Sequence, residues 1–211
     1  MHHDDFKFEP VPGLPEALPE DEHILWQGRP STMRLAREAW KLNWVLGYFA
    51  ILTLWRIGVS STQVPLNEAA WHGLPFVLAA GLAMAILIAM AAVQARSTVY
   101  TLTNKRVAMR IGAALTMTLN LPYVCIANAA VQERRSGHGT LSFELTGDTR
   151  LSYLMTWPHT RPWHFARTQP ALRAIPNVAR VAEIFADAAE TRVSTPQVTR
   201  ISPVADPIAA E

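Results

Sequence analysis

Charge is scarce in this sequence, and lysine is the scarcest of the charged residues. Of 211 residues only 17% are Asp, Glu, Lys or Arg, against 50% apolar, where a water-soluble domain carries about a quarter charged. There are three lysines, Lys7, Lys41 and Lys105, so arginine supplies nearly all the positive charge, and the formal balance is +2. So small a balance, with no basic run and no ladder of aromatic and basic residues, excludes a nucleic-acid groove. The single cysteine, Cys125, excludes an intramolecular disulfide and a cysteine-based zinc site. Residues 1–5 are polar and acidic, so no cleavable signal peptide is expected. Catalytic signatures are missing as well: there is no G-x-S-x-G, H-E-x-x-H, Walker loop or G-x-G-x-x-G. No catalytic residue, metal site or cofactor is expected, and the chain reads as a non-enzyme.

The shortage of charge has a location. Residues 69–95 contain no Asp, Glu, Lys or Arg, and 73–95 form an apolar run. A helix of about 20 residues matches the roughly 30 Å hydrocarbon core of a bilayer, so 73–95 is read as a transmembrane helix. Residues 42–59 form a second, with Trp44 and Trp55 near its ends and Arg56 close enough to one end to carry its charge out to the headgroups. The connecting loop, 60–72, carries no Lys or Arg. Arg29, Arg34, Arg37 and Lys41 precede the first span, and Arg96, Lys105, Arg106 and Arg110 follow the second. Retention of positive charge predicts a multi-pass inner-membrane protein with both termini cytoplasmic. On the second span Gly81, Ala85 and Ala89 make a smooth stripe. Such stripes let helices approach closely in lipid. This one either seats the helix against the first span or offers a face to another protein, a second copy of the chain included.

Beyond the spans the period changes. Val107, Met109 and Ile111 alternate with Ala108 and Arg110, Leu115 to Leu121 alternate with Thr and Asn, and Leu141, Phe143 and Leu145 alternate with polar residues, as do Leu151, Tyr153 and Met155 with Ser152. Turn residues separate these runs, as in an antiparallel meander with one buried face. Asn177 then caps a helix whose apolar face is Val178, Val181, Ala182, Phe185 and Ala189. Periodicity supports a small β-barrel or sandwich of about seven strands closed by a helix, over 97–192. Ahead of the spans lie a proline-rich arm, 1–30, and a short amphipathic helix, 31–41, whose Arg34, Arg37 and Lys41 face headgroups. A disordered tail is expected over 193–211.

Two segments carry a resemblance. Glu22-His23-Ile24-Leu25-Trp26-Gln27-Gly28-Arg29-Pro30, and Tyr100-Thr101-Leu102-Thr103-Asn104-Lys105-Arg106 followed by Gly112, resemble the bacterial membrane-anchored pleckstrin-homology proteins. That likeness implies an α+β membrane protein: a two-helix hairpin followed by a pleckstrin-homology-like barrel or sandwich with a closing helix. The arm, from His3-Asp4-Asp5-Phe6-Lys7-Phe8-Glu9-Pro10 to Leu14-Pro15-Glu16, is similar to the photosynthetic complex assembly proteins of purple bacteria. This second resemblance implies a scaffold whose partners are subunits of the reaction centre and core light-harvesting ring.

Three sets of candidate residues follow. Gly81, Ala85 and Ala89 are the helix-packing stripe. Phe6, Phe8, Leu14 and Trp26 form a docking arm, held extended by prolines for a groove or sheet edge, or else they cover the chain's own barrel. Lys105, Arg106, Arg134 and Arg135 are candidates for membrane lipid or a partner, each cation near an anionic surface contributing about 1 kcal/mol. Arg110 reads as an ordinary solvated charge, Cys125 as a buried thiol, and His159 and His164 as loop residues.

Overall fold

A computed structural model describes residues 11–112, 116–134, 136–147 and 151–194. Phe6, Phe8, Arg135 and the expected tail from residue 195 lie outside these residues.

Two helices, α2 (Leu42–Ser60) and α4 (Leu74–Ser97), are long and apolar enough to cross a membrane. They lie against each other along one face of each. On α4 the inward residues are Phe76, Ala80, Met84, Leu87 and Ala91, and on α2 they are Val45, Phe49, Leu52, Arg56 and Ser60. These follow the three- and four-residue steps of a packed helix face. At the tight end Gly73 has no room for a side chain: a Cβ there would stand 2.8 Å from Ile57 Cδ1 and 3.1 Å from Thr53 Cγ2. The outward face of α2 carries Trp44, Tyr48 and Trp55 and the connection carries Trp71, all largely exposed; Trp44, Trp55 and Trp71 stand near the ends, where aromatic rings suit a membrane–water boundary. A short helix, α3 (Leu66–Trp71), lies in the connection, and α1 (Thr32–Glu38) packs across the end of α4 by burying Leu35 and Ala36.

Among the described residues seven strands make two antiparallel sheets, ordered β1-β2-β3-β4 and β5-β6-β7. The strands are β1 (Ile24–Gly28), β2 (Val99–Thr103), β3 (Arg106–Ile111), β4 (Met117–Pro122), β5 (Ile126–Glu133), β6 (Gly139–Leu145) and β7 (Ala171–Ile175). Between the sheets lies one core holding Tyr100, Leu102, Met109, Leu141, Phe143 and Leu172. A long helix, α6 (Val178–Ser194), closes it with Val178, Val181, Phe185 and Ala188. Each large side chain so buried contributes roughly 1.5–3 kcal/mol. This is the expected sandwich with its closing helix.

Two expectations need correction, and one strand has no counterpart in the sequence pattern. The proline-rich arm is not irregular throughout: Ile24–Gly28, free of proline, is β1, paired to β2 from Ile24↔Thr103 to Gly28↔Tyr100. The domain therefore begins before the hairpin and resumes after it. Second, Leu151, Tyr153 and Met155 are not in a strand. Tyr153–Thr156 is a short helix, α5, where the Thr156 hydroxyl donates to Ser152 O at 2.8 Å. With Leu154 and Met155 both exposed, the alternation has no buried face to serve. That strand, β7, escapes the period argument because both its faces are buried and Ala174 is left-handed, φ 54°, where a bulge breaks the register.

Candidate functional site

Strand register decides which charges meet. β2 leaves the end of α4 and advances about 3.3 Å per residue, so the β2–β3 turn lies roughly 15 Å away from the helices. Lys105 and Arg106 belong to that far end, not beside the membrane as their closeness in sequence suggests. Lys105 is ion-paired with Asp21, and it holds the Asp21 carboxyl below its ordinary range. The Arg106 Nε stands 2.8 Å from Glu22 Oε1, an oxygen that also accepts from the Thr103 hydroxyl at 2.8 Å. Glu22 is buried, so this end is closed by its own counter-charges. Arg110, four residues after Arg106, is carried back opposite Val99 and is 7% exposed, buried rather than solvated.

Arg134 goes to the other end. Its Nε stands 3.1 Å from Glu38 Oε1 on α1. Around this pair α1 and its continuation place Arg34, Arg37 and Lys41, and β7 places Arg173. Together they line a polar recess of about 330 Å³ reaching Trp44 at the start of α2. Five cations thus face a single carboxylate. Arg173 is the buried one, 5% exposed. Its Nη1 donates to Pro158 O at 3.0 Å, and burial pushes its pKa down while Glu38 opposes that shift. A concave surface with this excess of guanidinium groups suits a phosphate or carboxylate. The α1 residues owe their place to Leu35 and Ala36, which turn the helix's apolar side onto α4 and leave its basic side to the recess.

Beneath the recess a chain of polar groups joins the helices to the sheets. The Arg173 backbone N–H reaches the Tyr100 hydroxyl at 3.4 Å, and that hydroxyl stands 2.6 Å from His159 Nδ1. His159 Nε2 stands 3.2 Å from Thr98 Oγ1, whose own proton goes to Gln94 O at 2.8 Å. Each hydrogen is used once if Tyr100 donates to Nδ1 and Nε2–H donates to Thr98. In the alternative tautomer, with Nδ1–H donating to the Tyr100 hydroxyl, Gln94 Nε2 donates to the bare His159 Nε2 3.2 Å away. His159 is fully buried. Burial, aided by the Arg173 charge, pushes its pKa down to about 3, so the ring is neutral; burial likewise raises the Tyr100 hydroxyl's. Sequence reasoning left His159 in a loop because prolines flank it. Only the fold reveals that the loop is tucked under α4.

The remaining candidates separate. Leu14 is 2% exposed and Trp26 packs on the core, so these two cover the chain's own domain and are not free to dock. The segment before β1 lies on the outer face of β2: Gln27 Nε2 bonds both Pro12 O and Thr101 Oγ1. Gly13 there, at φ 89°, would bring a Cβ within 2.6 Å of Val99. Gly81, Ala85 and Ala89 are all exposed, and a Cβ on Gly81 would meet nothing within 4 Å. The stripe therefore points away from α2 and does not seat the hairpin. Cys125 is exposed, not buried, because the 3-10 turn Tyr123–Cys125 sends only Tyr123 inward. Among the described residues no group of three or more His, Cys, Asp or Glu side chains is placed to hold a metal.

Two apolar helices leading into a pair of antiparallel sheets with a closing helix define a membrane-associated protein of the pleckstrin-homology type. The chain belongs to the bacterial PH domain family, whose profile matches residues 46–189. It is 41% identical over 203 residues, 94% of both chains, to a 23.7 kDa protein of Rhodobacter capsulatus described as uncharacterized and lying in the puhA 5′ region. A crystal structure of a pleckstrin-homology protein from Shewanella loihica covers 44% of this chain and 71% of its own at 14% identity, but its TM-score of 0.29 is too low to build on.

Proposed function

We propose that this protein is a non-enzymatic scaffold for assembly of the photosynthetic reaction centre and its core light-harvesting complex. The observation that carries the reading is the relative beside puhA, a reaction-centre gene, which matches nearly end to end. The hairpin crosses the inner membrane twice and both termini are cytoplasmic. Supporting this, positive residues flank the outer ends of the helix pair, and pairing of β1 with β2 brings those ends to one side. In this reading the outward stripe of Gly81, Ala85 and Ala89 takes a helix of a client subunit. The test is recovery of the tagged protein from pigmented membranes during assembly. Reaction-centre or core antenna polypeptides should come with it above the level seen with an unrelated tagged hairpin. Recovery of the chain and lipid alone would count against the scaffold. Replacing Gly81, Ala85 and Ala89 together with leucine should lower complex yield while the sheets stay folded. Unchanged yield would remove the stripe from the scheme.

A second reading is favoured by the cationic recess. The domain would then be an anchored module that holds anionic lipid, with Arg34, Arg37, Lys41, Arg134 and Arg173 around the headgroup. The two readings are compatible, since a scaffold can be held at the surface by lipid.

A further inference from the structure

Among the described residues, the β6–β7 connection carries four large apolar side chains that stay largely exposed, Phe165 even with its ring against that of Tyr153. Leu154 is 85% exposed, Trp163 78%, Met155 68% and Phe165 61%. Elsewhere among the described residues, side chains of this size and exposure lie on α2, α3 and α4. A soluble face rarely gathers such residues without a partner.

The connection is also fixed in depth. The Trp157 ring meets Trp40 edge-on with centroids 4.8 Å apart. Trp40 packs with Leu42, Leu87, Ile88 and Ala91, the layer where α2 begins and α4 ends. Two residues further, His159 is held against Gln94 and Thr98. Trp163 and Phe165 line a hollow together with Lys41, the residue before α2. The exposed apolar residues therefore stand at the level of the helix ends, where a bilayer around α2 and α4 has its headgroups. Charge agrees with this: residues 151–170 contain no Asp or Glu, whereas Arg161 and Arg167 are present and exposed.

We propose that this connection is an interfacial wedge. Leu154, Met155, Trp163 and Phe165 dip into the boundary between headgroups and acyl chains beside the hairpin, and Arg161 and Arg167 lie among anionic headgroups. The sandwich is then seated on the membrane by its own loop as well as tethered by two helices. This rests on the hairpin's crossing the membrane and not on any photosynthetic role.

The experiment uses the full chain with Cys125→Ser, reconstituted in vesicles of phosphatidylethanolamine and phosphatidylglycerol. Single nitroxide labels are placed at Leu154→Cys and Phe165→Cys. Ile86→Cys in mid-α4 serves as the bilayer reference and Asp187→Cys on α6 as the aqueous one. Relaxation by oxygen, which concentrates in lipid, is compared with relaxation by a water-soluble nickel chelate. The wedge requires an oxygen-to-nickel ratio at Leu154 and Phe165 lying between the two references and clearly above that of Asp187. A ratio equal to that of Asp187, with Ile86 still in lipid, overturns the wedge and leaves the hairpin standing. Shielding from both reagents also overturns it, because the cover is then protein. An aqueous reading at Ile86 defeats the hairpin and the wedge together. All four sites are at least half exposed or on an outward face, and circular dichroism of each variant verifies that it folds.

Discussion

The two ends of the β-sandwich use the same residue types to opposite effect. At the far end Lys105 and Arg106 are matched one for one by Asp21 and Glu22, and the second acid is buried. At the end beside the helices five cations share Glu38. The first arrangement is complete in itself and serves to hold the segment before β1 onto the β2–β3 turn. The second is left in want of negative charge, where the chain meets the membrane. What distinguishes the cations at the two ends is the supply of acids, not the basicity of the segment.

The contrast can be broken most sharply at the closed end. Glu22→Gln should strip Arg106 and Thr103 of a buried carboxylate. Loss of a hydrogen-bonded buried charge partner is expected to lower unfolding stability by about 2–4 kcal/mol, read by denaturant unfolding of the detergent-solubilised chain. Next comes His159→Leu, which leaves the Tyr100 and Thr98 hydroxyls without their shared partner. About 2 kcal/mol should be lost, and a loss near zero would mean that the polar chain does not couple helices to sheets.

The same residue sharpens the comparison through pH. Folding lowers the pKa of His159 from 6.5 to about 3, so between those values the unfolded chain binds a proton that the folded one refuses. Its contribution is therefore complete above pH 6.5 and is lost on acidification toward pH 3. Between pH 6.5 and 5 the wild type should lose up to about 2 kcal/mol, and His159→Leu should flatten that slope. A slope that survives the substitution would assign it to other groups.

The smallest effect on stability, and the largest on ligand, belongs to the open end. Arg34→Gln, Arg37→Gln and Lys41→Gln combined should leave stability within about 0.5 kcal/mol per site. They should also reduce the anionic lipid retained through purification, since each cation contributes about 1 kcal/mol at an anionic surface. Lys105→Gln, which breaks only a pair whose acid is exposed, should change neither reading. If the two variants behave alike, the recess is not a lipid site.

The sequence made some of this legible, for physical reasons that differ by region. A run of apolar residues long enough for a bilayer shows itself without any partner, and so do alternating strands with one wet face, such as β3 and β6. β1 was hidden because its partner stands beyond the hairpin and prolines surround it. The recess was hidden for the same kind of reason: Arg34, Arg134 and Arg173 lie on three elements that only the register and the seating of α1 bring together. Arg34, Arg37 and Lys41, read from the sequence as facing headgroups, line the recess together with Arg134, whereas Lys105 and Arg106 do not. Lys105 and Arg106 were drawn to the membrane by their number in the chain, whereas five residues of extended strand carry them away from it. His159 was legible only as a histidine between prolines.

β1 and β2 pair across a gap of more than 70 residues, and the whole hairpin lies inside that gap. During synthesis β1 is therefore finished long before the strand it needs, and it waits while both helices are made. Contacts of such separation form late, so the first sheet gains its edge strand only after the chain has gone out and come back. With the hairpin crossing a membrane as proposed, a molecule whose second helix failed to return would keep β1 and β2 on opposite sides, with the edge of β2 bare. On the proposed topology the fold thus carries its own proof of correct insertion: the sandwich can close only around a hairpin that has already been threaded.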